Sequence, residues 1–330
     1  MRIATFASPA QGTAPRGGVV VGTGEDTLVH PLPAGTDVLA LLDQRPSQAE
    51  VLRRCDPAVP LADVRLASPV QPTTVRDFLT FEQHVAGMRK SIDGAPGVPA
   101  QWYETPVFYF SNPYSVLGPA DDVPMAPGST VLDYELEVAA VIGRAGRDLD
   151  ARQAREHIVA YTIFNDWSAR DLQKAEMQVG LGPSKGKDTS STLGPWLVTP
   201  DELECYRDAD GFLDLELTAE VNGEQLGHDR LSHMGWTFED MVVYASRGTW
   251  VRPGDVLGSG TCGNGGCLAE LWGRHGEQTP PPLQPGDVVE LTVEGIGSLR
   301  STVVAGVAPV PVPTARHRLA DRQLSQGPRA

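Results

Sequence analysis

Hydrophobic and polar positions alternate along residues 130–142: Tyr134, Leu136, Val138, Ala140 and Ile142 share one face, and Glu135, Glu137, Ala139 and Val141 share the other. A period of two predicts a strand, and both of its faces are largely apolar, so the pattern carries Glu135 and Glu137 inward. Residues 161–165, β-branched and aromatic, predict a second strand that ends at Asp166, where a loop would open a site. The spacing of residues 74–90 predicts a helix with Thr74 as N-cap. Residues 150–160 predict a short helix capped by Asp150, and residues 168–176 another, with Ser168 and Asp171 at capping-box spacing. Strand-like runs at 3–7, 18–22 and 27–31 precede a short helical stretch at 37–42. Further on, residues 214–223 alternate and end in Asn222-Gly223, a hairpin signal with a short return strand. Pro253-Gly254-Asp255-Val256 and Pro285-Gly286-Asp287-Val288 read as two more turn-to-strand starts.

Together these elements make an α+β chain, predominantly β. The proline-bearing stretch around residues 66–72 divides it into a small N-terminal β-rich domain, 1–68, and a larger domain, 69–308. The tail, 309–330, is rich in Pro, Arg, Gln and Ser and is expected to be disordered.

Two carboxylates on an apolar strand lose hydration and repel each other, so they must be protonated, paired with basic side chains, or bound to metal. Three hard oxygen donors, Glu135, Glu137 and Asp166, suit Mg²⁺, Mn²⁺ or Ca²⁺. The rival reading places Glu135 and Glu137 on a solvated edge face. Composition narrows the partners: 330 residues with 41% hydrophobic can bury a full core, and a net charge of −15 without a basic tract argues against nucleic acid and anionic membrane surfaces. No apolar run approaches ~18 residues and the N-terminus lacks a signal-peptide core, so a cytoplasmic enzyme acting on a small molecule is expected. Cys55, Cys205, Cys262 and Cys267 are scattered. Only the last two are close, in a Gly-rich loop without nearby paired histidines, and zinc is not expected.

The run Asn165-Asp166-Trp167-Ser168-Ala169-Arg170-Asp171-Leu172-Gln173-Lys174, with Tyr134-Glu135-Leu136-Glu137 before it and Gly258-Ser259-Gly260-Thr261 after it, resembles the fumarylacetoacetate hydrolase family and is closest in motifs to the family's eponymous enzyme. The likeness spans roughly residues 70–305, with residues 1–65 matching only as the family's small N-terminal β domain. It implies a β-sandwich or roll catalytic domain and metal ligation by Asp77, Glu135, Glu137 and Asp166, with Mg²⁺ first and Mn²⁺ or Ca²⁺ as alternatives. It implies His84 as catalytic base, oriented by Glu270, and Arg170, Gln173 and Lys187 as donors to substrate and oxyanion, with Lys185 as the nearby competitor for Lys187. Tyr109 and Thr261 are implied substrate contacts, and a homodimer is implied as well. Taken singly, Asp77 would read as a first-turn helix residue, His84 as a surface histidine, and Glu270 as an exposed strand carboxylate.

The implied reaction is metal-dependent hydrolysis of a carbon–carbon bond in a 1,3-dicarbonyl such as fumarylacetoacetate or an acylpyruvate. Three departures put a polar distal group in doubt: Leu79 and Met177 stand where the family's hydrolase has tyrosines, and Phe110-Ser111-Asn112 replaces a His-Gly-Arg. Two rivals stay open. One is isomerisation, decarboxylation or hydration of a 2-oxo acid on the same scaffold, against which the presence of both His84 and Glu270 argues. The other is a ligand-binding homologue without activity.

Overall fold

The strand Leu136–Ile142 is buried over its whole length, because it lies in the interior of a large sheet and is covered on both faces. The computed structural model describes residues 1–8 and 12–316, in mixed α and β structure that is mostly strand. Twelve strands form the main sheet. Its path runs from Val59–Pro60 through Leu28–Pro31, Gly12–Val21 and Arg2–Ser8 to Ser191–Val198, then Ile158–Asn165, Leu136–Ile142, Asp255–Gly258, Thr74–Phe78 and Phe108–Ser111. Along this path the pairing is antiparallel except between Asp255–Gly258 and Thr74–Phe78, which run parallel. The N-terminal strands are hydrogen-bonded into this sheet, Arg2 opposite Val198 and Ile3 opposite Leu197.

The two faces of Leu136–Ile142 serve different cores. Leu136, Val138, Ala140 and Ile142 pack with Leu217, Leu291 and Leu299 of a second, five-stranded sheet. Ala139 and Val141 pack with Ile3, Val19 and Phe164 under the N-terminal strands. Glu137 therefore enters the protein on the second face, at one end of an otherwise apolar layer. In the smaller sheet the expected hairpin is present: Glu216–Val221 and Glu224–Arg230 flank Asn222 and Gly223, whose φ of 54° and 80° are the positive values a two-residue turn requires. The return strand is seven residues long, not short.

Four further sequence expectations need correction. The strand expected over 130–142 is broken: Leu132–Asp133 pairs with Ser168–Ala169, and the regular strand starts only at Leu136. Between them the Glu135 amide donates to Asn165 Oδ1 and the Leu136 amide to Gly266 O, so the Glu135 backbone is held by the side chain of a neighbouring strand's last residue rather than by a ladder bond. Residues 74–90 are not one helix. Thr74–Phe78 is a strand, since Val75, Arg76, Asp77 and Phe78 are all buried between two neighbours, and the helix is Glu82–Asp93 with no side-chain cap at Phe81. Ser168 and Asp171 form no capping box. The helix is Arg170–Met177, Ser168 Oγ donates to Asp166 O, and the Asp171 carboxylate instead accepts from Ser129 Oγ and the Thr130 amide. The Asp150 helix is capped as expected, with a reciprocal bond to Gln153, but it spans Ala151–His157 because Ile158 already begins the next strand. The tail is exposed and irregular over 309–316, and residues 317–330 lie outside the described residues. Among the described residues no helix is long and apolar enough to cross a membrane.

Candidate active site

Sheet register brings the acids together. Asp77 sits opposite Gly258 in the parallel pair, and Gly258 sits opposite Ala139, two positions along from Glu137. A Cβ on Gly258 would lie 2.8 Å from Glu137 Oε2 and 2.9 Å from Asp77 Oδ1, so the bare glycine is what lets both carboxylates occupy one layer. Asp77, Glu135 and Glu137 each offer an oxygen within 4.8 Å of the others. Asp166, at the end of its strand, joins them through Lys187: Nζ donates to Asp166 Oδ2 at 2.7 Å and also to Glu135 Oε2. Tyr109 OH donates to Asp166 Oδ2. All four acids are buried.

The basic partners come from the next turn of chain. Arg170, at the start of its helix, donates to Glu135 Oε1 at 2.7 Å and to Asp133 Oδ2 from two nitrogens, at 2.8 and 2.7 Å. Its Nη1 donates to Gln173 Oε1 at 3.0 Å, as the three-residue helical spacing requires. Asp133 is the site residue that sequence reasoning missed. Beyond holding Arg170, its carboxylate accepts from the Leu268 and Ala269 amides and so fixes the start of the helix Leu268–His275. Its signal was there to read, as one more acid in the same apolar stretch.

Five buried carboxylates share two buried cations here, and the ionisation states follow. Burial, reinforced by the charge of Asp166, pushes Asp77 up to about 8. Burial and Asp77 raise Glu137 well above the ordinary carboxylate range. Burial also opposes ionisation of Glu135, but Lys187 and Arg170 outweigh it and hold the group at about 2. Asp77 Oδ1, Glu137 Oε1 and Asp166 Oδ1 are buried and have no hydrogen-bond partner. A proton shared between Asp77 and Glu137 serves that pair when no ion is bound, but it leaves Asp166 Oδ1 without a partner, and a hard divalent cation would satisfy all three.

His84 lies in the first turn of Glu82–Asp93, buried, with its imidazole pushed down to about 3 chiefly by desolvation. At neutral pH it is an uncharged base. Its imidazole meets Cys267, whose Sγ is 3.8 Å from Nδ1, and a Glu135 oxygen lies nearby. Glu270 is buried in the helix that follows and is not on a strand; its Oε1 accepts from the Asn264 amide at 3.0 Å and from Arg274. Among the described residues it makes no hydrogen bond to His84, and its Oε2 is without a partner. Burial raises its pKa, with Arg274 opposing. The Glu270 stem instead runs past Gly87, where a Cβ would meet Glu270 Cγ at 2.5 Å.

A cavity of about 400 Å³ opens onto Asp77, His84, Glu135, Arg170, Gln173 and Lys187, with Tyr109 and Thr261 in its wall. The rest of the wall is mainly apolar and includes Leu79, Met88, Val107, Phe108 and Met177. Lys185 points away, paired with Asp188 at the surface. Phe110 is 64% exposed and does not line this cavity.

Buried acids only partly balanced by buried bases, around a ligand-sized cavity on a mixed α/β framework, are the features of a carboxylate-lined active site rather than of a structural β domain. The family model for the fumarylacetoacetate hydrolase C-terminal domain matches residues 73–304, and the chain belongs to that family. Protein Rv2993c of Mycobacterium tuberculosis is 35% identical over 246 residues, covering 74% of this chain and 80% of that one. The fumarylacetoacetase of Oryza sativa subsp. japonica is 30% identical over 287 residues, covering 71% and 66%. Among solved structures, 5-carboxymethyl-2-hydroxymuconate delta-isomerase from Mycobacterium smegmatis superposes with a TM-score of 0.67 at 29% identity, covering 92% of this chain and all of that one.

Proposed function

We propose that this protein is a divalent-metal-dependent hydrolase that cleaves a carbon–carbon bond in a 1,3-dicarbonyl substrate of the acylpyruvate type. The observation that carries this reading is the uncharged, buried His84 in the same cavity as Arg170, Lys187 and the acid cluster. Likeness to a fumarylacetoacetase supports it. Asp77, Glu135, Glu137 and Asp166 would hold the ion, Mg²⁺ or Mn²⁺, and their three orphaned oxygens fit a hard cation. When bound, such an ion polarises a carbonyl oxygen and orients a chelating dicarbonyl.

The protein's own groups divide the remaining work. His84, uncharged at neutral pH, takes a proton from a water in the cavity. Arg170, anchored by Asp133, and Lys187 present positive charge where an oxyanion would form. Gln173, fixed by Arg170 through its carbonyl end, leaves its amide as a further donor. Tyr109 holds Asp166, and Thr261 closes the wall beside the acids. Leu79, Met88 and Met177 exclude water and select an apolar acyl group over a second carboxylate.

The test is loss of 1,3-dicarbonyl absorbance on a panel of acylpyruvates with Mg²⁺ or Mn²⁺. His84→Ala should lower turnover by ~10² or more while leaving metal affinity within a few-fold; wild-type-like turnover would remove His84 from the mechanism. A second reading, isomerisation of a 2-oxo acid, is favoured by one observation: His84 has no bond to the Glu270 carboxylate, and a lone base moves a proton between carbons without activating water. Likeness to an isomerase points the same way. Product analysis separates the two, since only hydrolysis yields two acids from one substrate.

A further inference from the structure

Cys267 faces His84 across the start of a helix. Its Sγ accepts from the Glu270 amide at 3.4 Å, so the cysteine acts as N-cap of Leu268–His275, and it is fully buried. Sγ lies 3.8 Å from His84 Nδ1, and one ligand atom from each of His84, Glu135 and Cys267 falls within 4.8 Å of the other two; the Glu135 oxygens also accept from Arg170 and Lys187, so an ion here would share that carboxylate with them. Tetrahedral zinc with Zn–S near 2.3 Å and Zn–N near 2.05 Å separates sulfur from nitrogen by about 3.6 Å. The observed gap is already close to that edge.

We propose that His84, Cys267 and Glu135 form a second cation site, distinct in chemistry from the acid cluster, that takes Zn²⁺ or another borderline-soft divalent ion. The sequence hides it, because the histidine lies far along the chain from the cysteine and arrives on a separate helix. A thiolate, an imidazole and a carboxylate favour zinc, cobalt or cadmium over Mg²⁺, whose affinity for sulfur is poor. Binding forms a metal–sulfur bond and breaks the Cys267 S–H bond, with the proton passing to solvent. His84 and Glu135 also line the cavity, which gives the ion an entry path and leaves its fourth position open to water or a substrate carboxylate.

The site stands on geometry alone; its consequence rests on the hydrolytic reading. An ion on His84 occupies the lone pair that would take the proton, so zinc acts as an inhibitor, and because Glu135 belongs to both ligand sets its potency falls as Mg²⁺ rises. Titrating the Mg²⁺-saturated full chain with Co²⁺ tests the site without any substrate. A near-ultraviolet thiolate-to-cobalt charge-transfer band should grow to saturation at one ion per chain. It should vanish in Cys267→Ser, whose hydroxyl keeps the helix cap, and persist in Cys262→Ser. Absence of the band in the wild type, its survival in Cys267→Ser, or its loss in Cys262→Ser would each overturn the proposal. Failure of every candidate substrate would leave the band unaffected and would count against the hydrolytic reading instead.

Discussion

Glu137 is the residue on which the acid cluster depends most directly. Its Oε2 is fixed by the Gly260 amide at 2.9 Å, while Oε1 is buried without a partner. Glu137→Ala should abolish measurable Mg²⁺ and Mn²⁺ binding in calorimetric titration, and retention of wild-type affinity would remove it from the ligand set. The acids were legible because charge is conspicuous on an otherwise apolar strand. Asp133 is equally buried but matches none of the implied ligands, because its role is to hold Arg170 and a helix start. Cys267 was not legible at all, because a cysteine in a glycine-rich loop carries no periodic signal and its partner is reached only through tertiary structure. The His84–Glu270 pairing comes from resemblance; Glu270 Oε1 accepts from Arg274 and the Asn264 amide, and Oε2 is without a partner.

At the scale of elements, the misread segment is instructive. Thr74-Val75-Arg76-Asp77-Phe78 lacks an alternation that would mark a strand, because both of its faces are covered. It therefore merged in sequence with the true helix that follows it. Its placement matters, since a strand aims Asp77 into the layer shared with Glu137, and the parallel register sets it against Gly258. Gly258→Ala should accordingly cost about 1–3 kcal/mol of stability through overpacking, and weaken metal binding more than a comparable change elsewhere in the sheet. Urea denaturation with and without Mn²⁺ measures both; an unchanged affinity would mean the carboxylates can part without loss. The strands at the ends of the chain and the Asn222-Gly223 hairpin were legible because each alternates or carries a specific turn residue.

For the whole molecule, the acid cluster couples stability to pH. An unfolded Asp77 titrates near its ordinary 3.8, whereas the folded group, metal-free, is pushed up to about 8. Between those values the folded chain binds a proton that the unfolded chain has released, so this contribution is complete below about pH 4 and is lost as pH rises through about 8. Without metal, unfolding free energy should fall from pH 5 to pH 8. With a saturating divalent ion that slope should flatten, and at 100-fold excess over the dissociation constant stability should rise by about 2.7 kcal/mol. Binding at pH 6 should release protons, which calorimetry in buffers of different ionisation enthalpy detects.

The parallel pairing of Asp255–Gly258 with Thr74–Phe78 joins segments separated by most of the chain. During synthesis Asp77 leaves the ribosome long before the strand that will receive it exists. Until residue 258 emerges, the nascent chain has acids without their layer, and until residue 268 it lacks the backbone amides that hold Asp133. The pocket is thus a late product of translation. A chain halted before residue 255 would carry every carboxylate of the cluster but neither the strand that sets Asp77 beside Glu137 nor the helix start that holds Asp133.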